Sequence, residues 1–277
     1  MTTPESVLYW VAIVLYALSS AGFITGFVFT KLRPIDIGVW FASAGAAFQG
    51  ASIALRWART GHGPALGFFE VASGLAFLGV VAFLVLTWRY KGMKVVGVAL
   101  MPITLFMVGA TLLVNPDAQG ATGSLASTWL AIHVLFANLA YGSYVGSFVL
   151  AVAYLMRDSG RGARWQSWLD RFPAQEELDG LTFRFVGAGF IFEGIMIASG
   201  AVWANEAWGR YWGWDPMETW SLIALLIYAV YLHLTITMGW RGRKAAWVIV
   251  IALPVIVFSL LGVPVFYHSI HGAYLST

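Results

Sequence analysis

No cysteine occurs among the 277 residues of this chain. It forms no disulfide and supplies no thiolate ligand, so any thiol chemistry it takes part in uses another molecule's sulfur. Charge is scarce as well. Asp, Glu, Lys and Arg make up 10% of the residues, against about 25% in a soluble domain, which excludes an ordinary water-exposed surface. The sequence shows no convincing internal repeat and no stretch that reads as a soluble domain. Its net charge of +3 does not imply a nucleic-acid partner, because the basic residues sit in short loops, where they set membrane topology.

Apolar residues take the place of charge, at 60% of the chain. They fall in runs of about 20, the length that crosses a ~30 Å hydrocarbon core. Eight spans are expected, near 6–30, 36–56, 65–88, 93–114, 128–156, 181–204, 219–240 and 245–267. The first run is too long for a signal-peptide core and lacks a basic lead, so it reads as a retained span. The expectation is an all-α polytopic membrane protein: one integral domain over 1–277, with about eight transmembrane helices surrounded by lipid. Thirteen of the sixteen Lys and Arg residues lie in the loops after spans 1, 3, 5 and 7. The positive-inside bias then puts both termini on the outer face. Trp165, Trp168, Leu169 and Phe172 fall at helical spacing between Ala163 and Gly180 and read as an interfacial helix on the inner face. Gly22/Gly26 and Gly142/Gly146 have the spacing that lets helices approach closely.

The stretch Trp203–Trp220, between spans 6 and 7, carries five of the fourteen tryptophans: Trp203, Trp208, Trp212, Trp214 and Trp220. Scattered tryptophans at span ends, such as Trp40, Trp57, Trp88, Trp240 and Trp247, are accounted for as interfacial anchors. Five in eighteen residues exceed what anchoring needs. Within the stretch, Asp215-Pro216-Met217-Glu218 has the pattern of a capping box opening span 7, with Asp at N-cap, Pro at N1 and Glu at N3.

Five histidines are present. His133 lies about five residues into span 5, and His268 and His271 close span 8 on the same face. Histidines flanking a set of indoles suit a flat, apolar, iron-bearing molecule, which describes haem. His233 lies roughly 21 Å along span 7 from Thr219. It reads either as a core histidine bonded to a carbonyl or as a second, inner haem site completed by another subunit. His62 reads equally as solvated or functional. Glu70 and Glu193 lie in spans and are expected to face the bundle interior or water, with Arg56, Arg59 or Arg184 as conceivable partners.

The run from Ala204 through W-G-R-Y-W-G-W-D-P-M-E-T-W to His233 closely resembles the WWD domain of the CcsA/ResC-type cytochrome c synthase family, the system II proteins of cytochrome c biogenesis. The patch Arg56-Trp57, Gly61-His62-x-Pro64 and Glu70, and the run Trp129-Leu-Ala-Ile-His133, are similar to other segments of that family. The resemblance implies a haem-handling subunit in a bacterial cytoplasmic or a thylakoid membrane. Haem b is its cargo, moved to the outer side and held at the Trp-rich loop by two histidines. There the haem vinyl groups are joined to the thiols of a Cys-x-x-Cys-His apocytochrome c. By match, His133 is the first external iron ligand and His233 the in-membrane histidine. The second external ligand falls at His271, or at His268 on another alignment. Trp208, Tyr211, Trp212 and Trp214 would wall the porphyrin, and Asp215 and Glu218 would hold the loop. The family acts with a CcsB/ResB-type membrane subunit, which is not fused to this chain. Met217 stands where the family usually has Lys. Two other readings are an electron-transferring b-type cytochrome, which normally pairs its histidines on facing helices, and a transporter or scaffold with an aromatic vestibule.

Overall fold

Long apolar runs leave the backbone no water to bond with, and helices satisfy its amides internally. The computed structural model describes residues 2–63, 67–113, 127–158, 170 and 173–267, and all its regular structure is helical. The elements are α1 (Thr3–Val28), α2 (Leu32–Thr60), α3 (Gly67–Arg89), α4 (Gly97–Ala110), α5 (Thr128–Asp158), α6 (Gln175–Trp208), α7 (Pro216–Ile236), α8 (Arg243–Val257) and α9 (Val263–Phe266). Short 3₁₀ segments flank α4 at Lys91–Val96 and Thr111–Leu113. Among the described residues, seven helices are long and apolar enough to cross a membrane. The protein is an integral membrane protein.

The eighth expected span is interrupted. α8 passes through a π-helical turn, Phe258–Gly262, into the short α9. Pro264 has no amide N–H, so the carbonyl four residues earlier loses its α-helical partner, a setting in which π turns occur. Trp165, Trp168, Leu169 and Phe172 lie outside the described residues. Residues 175–180, expected to end an interfacial helix, instead open α6, whose first turn carries Glu176 and Glu177. Acidic residues there complement the helix dipole. Trp40, Trp57, Trp88 and Trp247 are exposed on their helices, as anchors would be.

The chain divides into two compact units, Met1–Ala121 and Thr122–Thr277. In the first, α1 packs on α2 and α4, and α3 packs on both α2 and α4. Gly22 meets Gly38 closely: a Cβ there would lie 3.2 Å from the Gly38 Cα. Among the described residues, buried polar side chains of this unit are paired, apart from the His62 Nε2. Tyr16 donates to Gln49 at 2.7 Å, and Gln49 donates on to the Ser73 carbonyl at 3.1 Å. At the end where α1 and α3 begin and α2 finishes, Arg56 bridges two buried carboxylates, Glu70 at 2.6 Å and Glu5 at 2.9 Å. Arg59 reaches Glu5 from the rim at 3.0 Å. The sequence alone left Glu70 with several conceivable partners, and Arg56 is the one it takes.

In the second unit α5 and α6 pack along their length, with α7 and α8 completing the bundle. Gly146 admits Phe185 and Gly189 admits Tyr144, with a Cβ at either position falling within 2.8 Å of the ring. Gly142 meets nothing within 4 Å and has no such packing role. Tyr144 and Tyr228 stack face to face at 3.6 Å.

Removing one partner from a buried ion pair strands the other, at a cost of about 3–5 kcal/mol. Arg56→Ala should therefore strongly lower the unfolding temperature in detergent. The triple variant Glu5→Gln/Arg56→Met/Glu70→Gln should recover most of the loss.

Candidate functional site

α6 continues five residues beyond Trp203, because Ala204, Glu206 and Ala207 are good helix formers. It stops at Gly209, whose φ of 72° is the left-handed conformation that ends helices. The connection to α7 is therefore short, residues 209–215. The five tryptophans divide accordingly. Trp203 and Trp208 belong to α6, Trp212 and Trp214 to the loop, and Trp220 to the second turn of α7. This is a finer division than the single Trp-rich loop expected from sequence.

The expected capping box is present. Asp215 accepts the Met217 amide at 2.9 Å. Glu218 reaches back with Oε2 to the amides of Asp215, at 3.1 Å, and Gly213, at 2.8 Å. Those two amides flank Trp214, and their convergence on one oxygen curls the backbone between them. Trp214 sits at φ 57°, which costs a non-glycine residue roughly 1–2 kcal/mol. It is 68% exposed and Tyr211 59% exposed, while Trp212 meets Trp214 edge to face at 5.7 Å. Glu218 therefore both caps α7 and fixes the turn that displays Trp214. The Arg210 guanidinium packs on Gly213, where a Cβ would lie 2.6 Å from its Cζ.

His133 lies on α5 at the same end of the unit. Its Nδ1 is 2.9 Å from the Met196 carbonyl on α6. A carbonyl can only accept, so Nδ1 carries the proton and Nε2 the lone pair. A metal-binding imidazole is commonly oriented in this way, with its other nitrogen donating to a carbonyl. The ring lies nearly parallel to Trp203, at 6.5 Å and 22°, and Trp203 meets Trp208 edge-on at 5.0 Å. A row of rings thus runs from His133 to the last residue of α6. Ser127 donates to Glu206 and fastens the start of α5 to the last turns of α6.

His233 stands at the opposite end of α7, in its last turn, exposed and 3.3 Å from the Thr237 hydroxyl. The structure does not bring it to His133. His268 and His271 lie outside the described residues. The segment before them packs on α7: Phe258 of the π turn meets Trp220 at 4.5 Å and Phe266 stacks on Phe258. Met196, Gly200 and Trp203 were not singled out from sequence as supports for His133. A backbone carbonyl has no sequence signature, and one glycine in an apolar helix resembles any other. Gly200 is nevertheless required, since a Cβ there would lie 2.6 Å from His133 Nδ1. Gly200→Ala should cost about 1–3 kcal/mol by overpacking. Gly194→Ala, with nothing within 4 Å, should be neutral or gain up to ~1 kcal/mol. Unfolding temperatures of the two variants in detergent check the contrast.

The sequence model of the family described as "Cytochrome C assembly protein" matches residues 66–271. A cytochrome c biogenesis protein CcsA from Chlamydomonas reinhardtii is 33% identical over 227 residues, taking in 79% of this chain and 63% of that protein. The chain thus spans less than two thirds of that relative's length. A CcsA from Synechococcus sp. (strain CC9902) is 32% identical over 248 residues, covering 80% of this chain and 81% of its own. Among solved structures, the cytochrome c heme lyase CcmF superposes with a TM-score of 0.69 at 17% identity. That match covers 95% of this chain and 47% of the lyase and shows a shared fold. With the family model and the CcsA relatives agreeing over most of its length, the chain belongs to the cytochrome c assembly protein family, among its CcsA-type members.

Proposed function

We propose that this chain works in cytochrome c maturation as the haem-handling subunit of a cytochrome c synthase, a single functional domain in the membrane. Haem is its cargo. His133 provides one axial nitrogen and His271 the other, with His268 as the alternative. The observation that carries this reading is the imidazole of His133, whose Nδ1 donates to the Met196 carbonyl at 2.9 Å, which fixes the ring and the tautomer in which Nε2 is the basic nitrogen, the form that ligates iron. Trp208, Tyr211, Trp212 and Trp214 supply ring surface for the porphyrin beside it, and the last two loop tryptophans are held by the Asp215 and Glu218 contacts. The positive-inside bias puts this end on the outer face.

The chemistry asks for presentation rather than a catalytic acid. Each thiol of a Cys-x-x-Cys-His apocytochrome adds its S–H across a haem vinyl double bond, and nothing leaves. A chain without cysteine cannot capture its own cargo. The exposed His233 suits an inner haem position completed by a ligand from another subunit, such as a CcsB/ResB-type partner. The CcsA relatives and the shared fold with a heme lyase support the assignment to this pathway.

Wild-type protein purified with its partner subunit should carry haem and attach it to apocytochrome c. His133→Ala and His271→Ala should each lower haem content on the order of tenfold or more and abolish thioether formation. Unchanged haem content in both variants would refute the ligand assignment. A haem that stays bound and unattached when apocytochrome is added would favour an electron-transferring cytochrome instead.

A further inference from the structure

Glu193 is fully buried on α6, near the middle of the membrane-spanning part of the second unit. Tyr144 donates to its Oε2 at 2.6 Å, and its Oε1 has no hydrogen-bond partner among the described residues. The hydroxyl of Tyr228, stacked on Tyr144 and 1% exposed, also has no partner among them. Tyr141 of α5 lies within electrostatic reach of the carboxyl. The titratable groups facing Glu193 are therefore three tyrosines, Tyr141 and Tyr144 from α5 and Tyr228 from α7. Among the described residues no Lys, Arg or His pairs with it. Glu5 and Glu70 of the first unit, by contrast, share Arg56.

An acid kept in a membrane interior without a cation marks a functional position more often than a structural one. A glutamine would bond Tyr144 equally well without the cost of a buried ionisable group. The register of α6 gives the group something to respond to. Glu193 is three residues from Met196, whose carbonyl holds His133, and seven from Gly200, on which the His133 ring rests. Two turns of helix separate the carboxyl from that level, ~10 Å at 1.5 Å per residue. In a water-poor interior, charges at that separation still interact.

We propose that Glu193 is a proton-binding site coupled to the oxidation state of the haem iron held at His133. This rests on the haem-handling reading above. When a one-electron donor reduces the iron, one electron enters the metal and one proton enters the Glu193 carboxylate, so the membrane core gains no net charge. Oxidation releases both. Tyr144 fixes the carboxyl, and the Tyr228 hydroxyl is the acceptor or donor next to it. By linkage, the proton then favours the ferrous state as much as the ferrous state favours the proton.

The test is a redox titration of haem-loaded protein with its partner subunit, using dithionite and mediators at several pH values. A one-electron couple carrying one proton moves by about 59 mV for each tenfold change in proton concentration. Wild type should approach that slope over part of the range, and Glu193→Gln should flatten it there while retaining haem. An equal slope in both overturns the proposal. Haem propionates titrate too, so the comparison between the two proteins is the readout. Labelling with a membrane-permeant carbodiimide, which attacks protonated carboxyls, carries the question if Glu193→Gln does not accumulate. Glu193 should be labelled several-fold more in reduced than in oxidised wild type, with Glu5 and Glu70 unlabelled. Equal labelling in the two states, or none at Glu193, overturns the proposal. His133→Ala separates the two claims. If it leaves haem and potential unchanged, the haem-site reading fails. If it removes haem while Glu193→Gln keeps the wild-type slope, the proton site alone fails.

Discussion

A membrane interior offers no water, so a polar group placed there is costly unless it finds a partner within the protein. The second unit applies this rule at three places. His133 donates a hydrogen bond from Nδ1 to the Met196 carbonyl, Glu218 gathers the two amides around Trp214, and Glu193 accepts from the Tyr144 hydroxyl. Each bond fixes one group and, in doing so, defines what the neighbouring atom has left to offer. For His133 that is a lone pair on Nε2. For Trp214 it is an exposed indole on a strained turn. The first unit resolves the same problem with opposite charges, through Arg56 between Glu5 and Glu70.

This arrangement suits the proposed role, in which a large cofactor is held firmly and then given up. Rigidity is supplied by packing and hydrogen bonds: Trp203 against His133, Gly200 beneath the ring, and Ser127 tying α5 to Glu206 at the surface. Tyr211 and Trp214, the rings proposed to meet the cargo, are exposed, so on that proposal release does not require the bundle to come apart. A haem protein built for electron transfer would more often enclose its macrocycle between helices.

Much of this was legible in the sequence because it depends on period and spacing. Hydrophobic runs located seven of the eight expected spans, most ends within about four residues although α6 starts six residues earlier, and Asp215-Pro216-x-Glu218 announced the start of α7 together with its capping bonds. The resemblance carried by the run from Ala204 to His233 pointed to the family that residues 66–271 match. What escaped were facts that no residue type encodes. α6 runs through Trp208, which shortens the loop, since helix formers and loop residues overlap in composition there. The ring of His133 is set by a backbone carbonyl three turns from the end of α6. The last span is broken by a π turn, because one proline removes one amide. Glu193 was recognised as out of place, but its partner is a tyrosine on a neighbouring helix rather than an arginine, and sequence spacing between separate helices does not supply that pairing.

The central claim is that the imidazole at position 133 is an axial ligand of the haem iron. Replacing His133 with glycine leaves room for a free imidazole molecule in the same place. The absorption spectrum of ferric haem should change from low-spin, six-coordinate in wild type to high-spin in His133→Gly, and added imidazole should restore the original spectrum. A His133→Gly protein that retains the wild-type spectrum without imidazole would contradict the account.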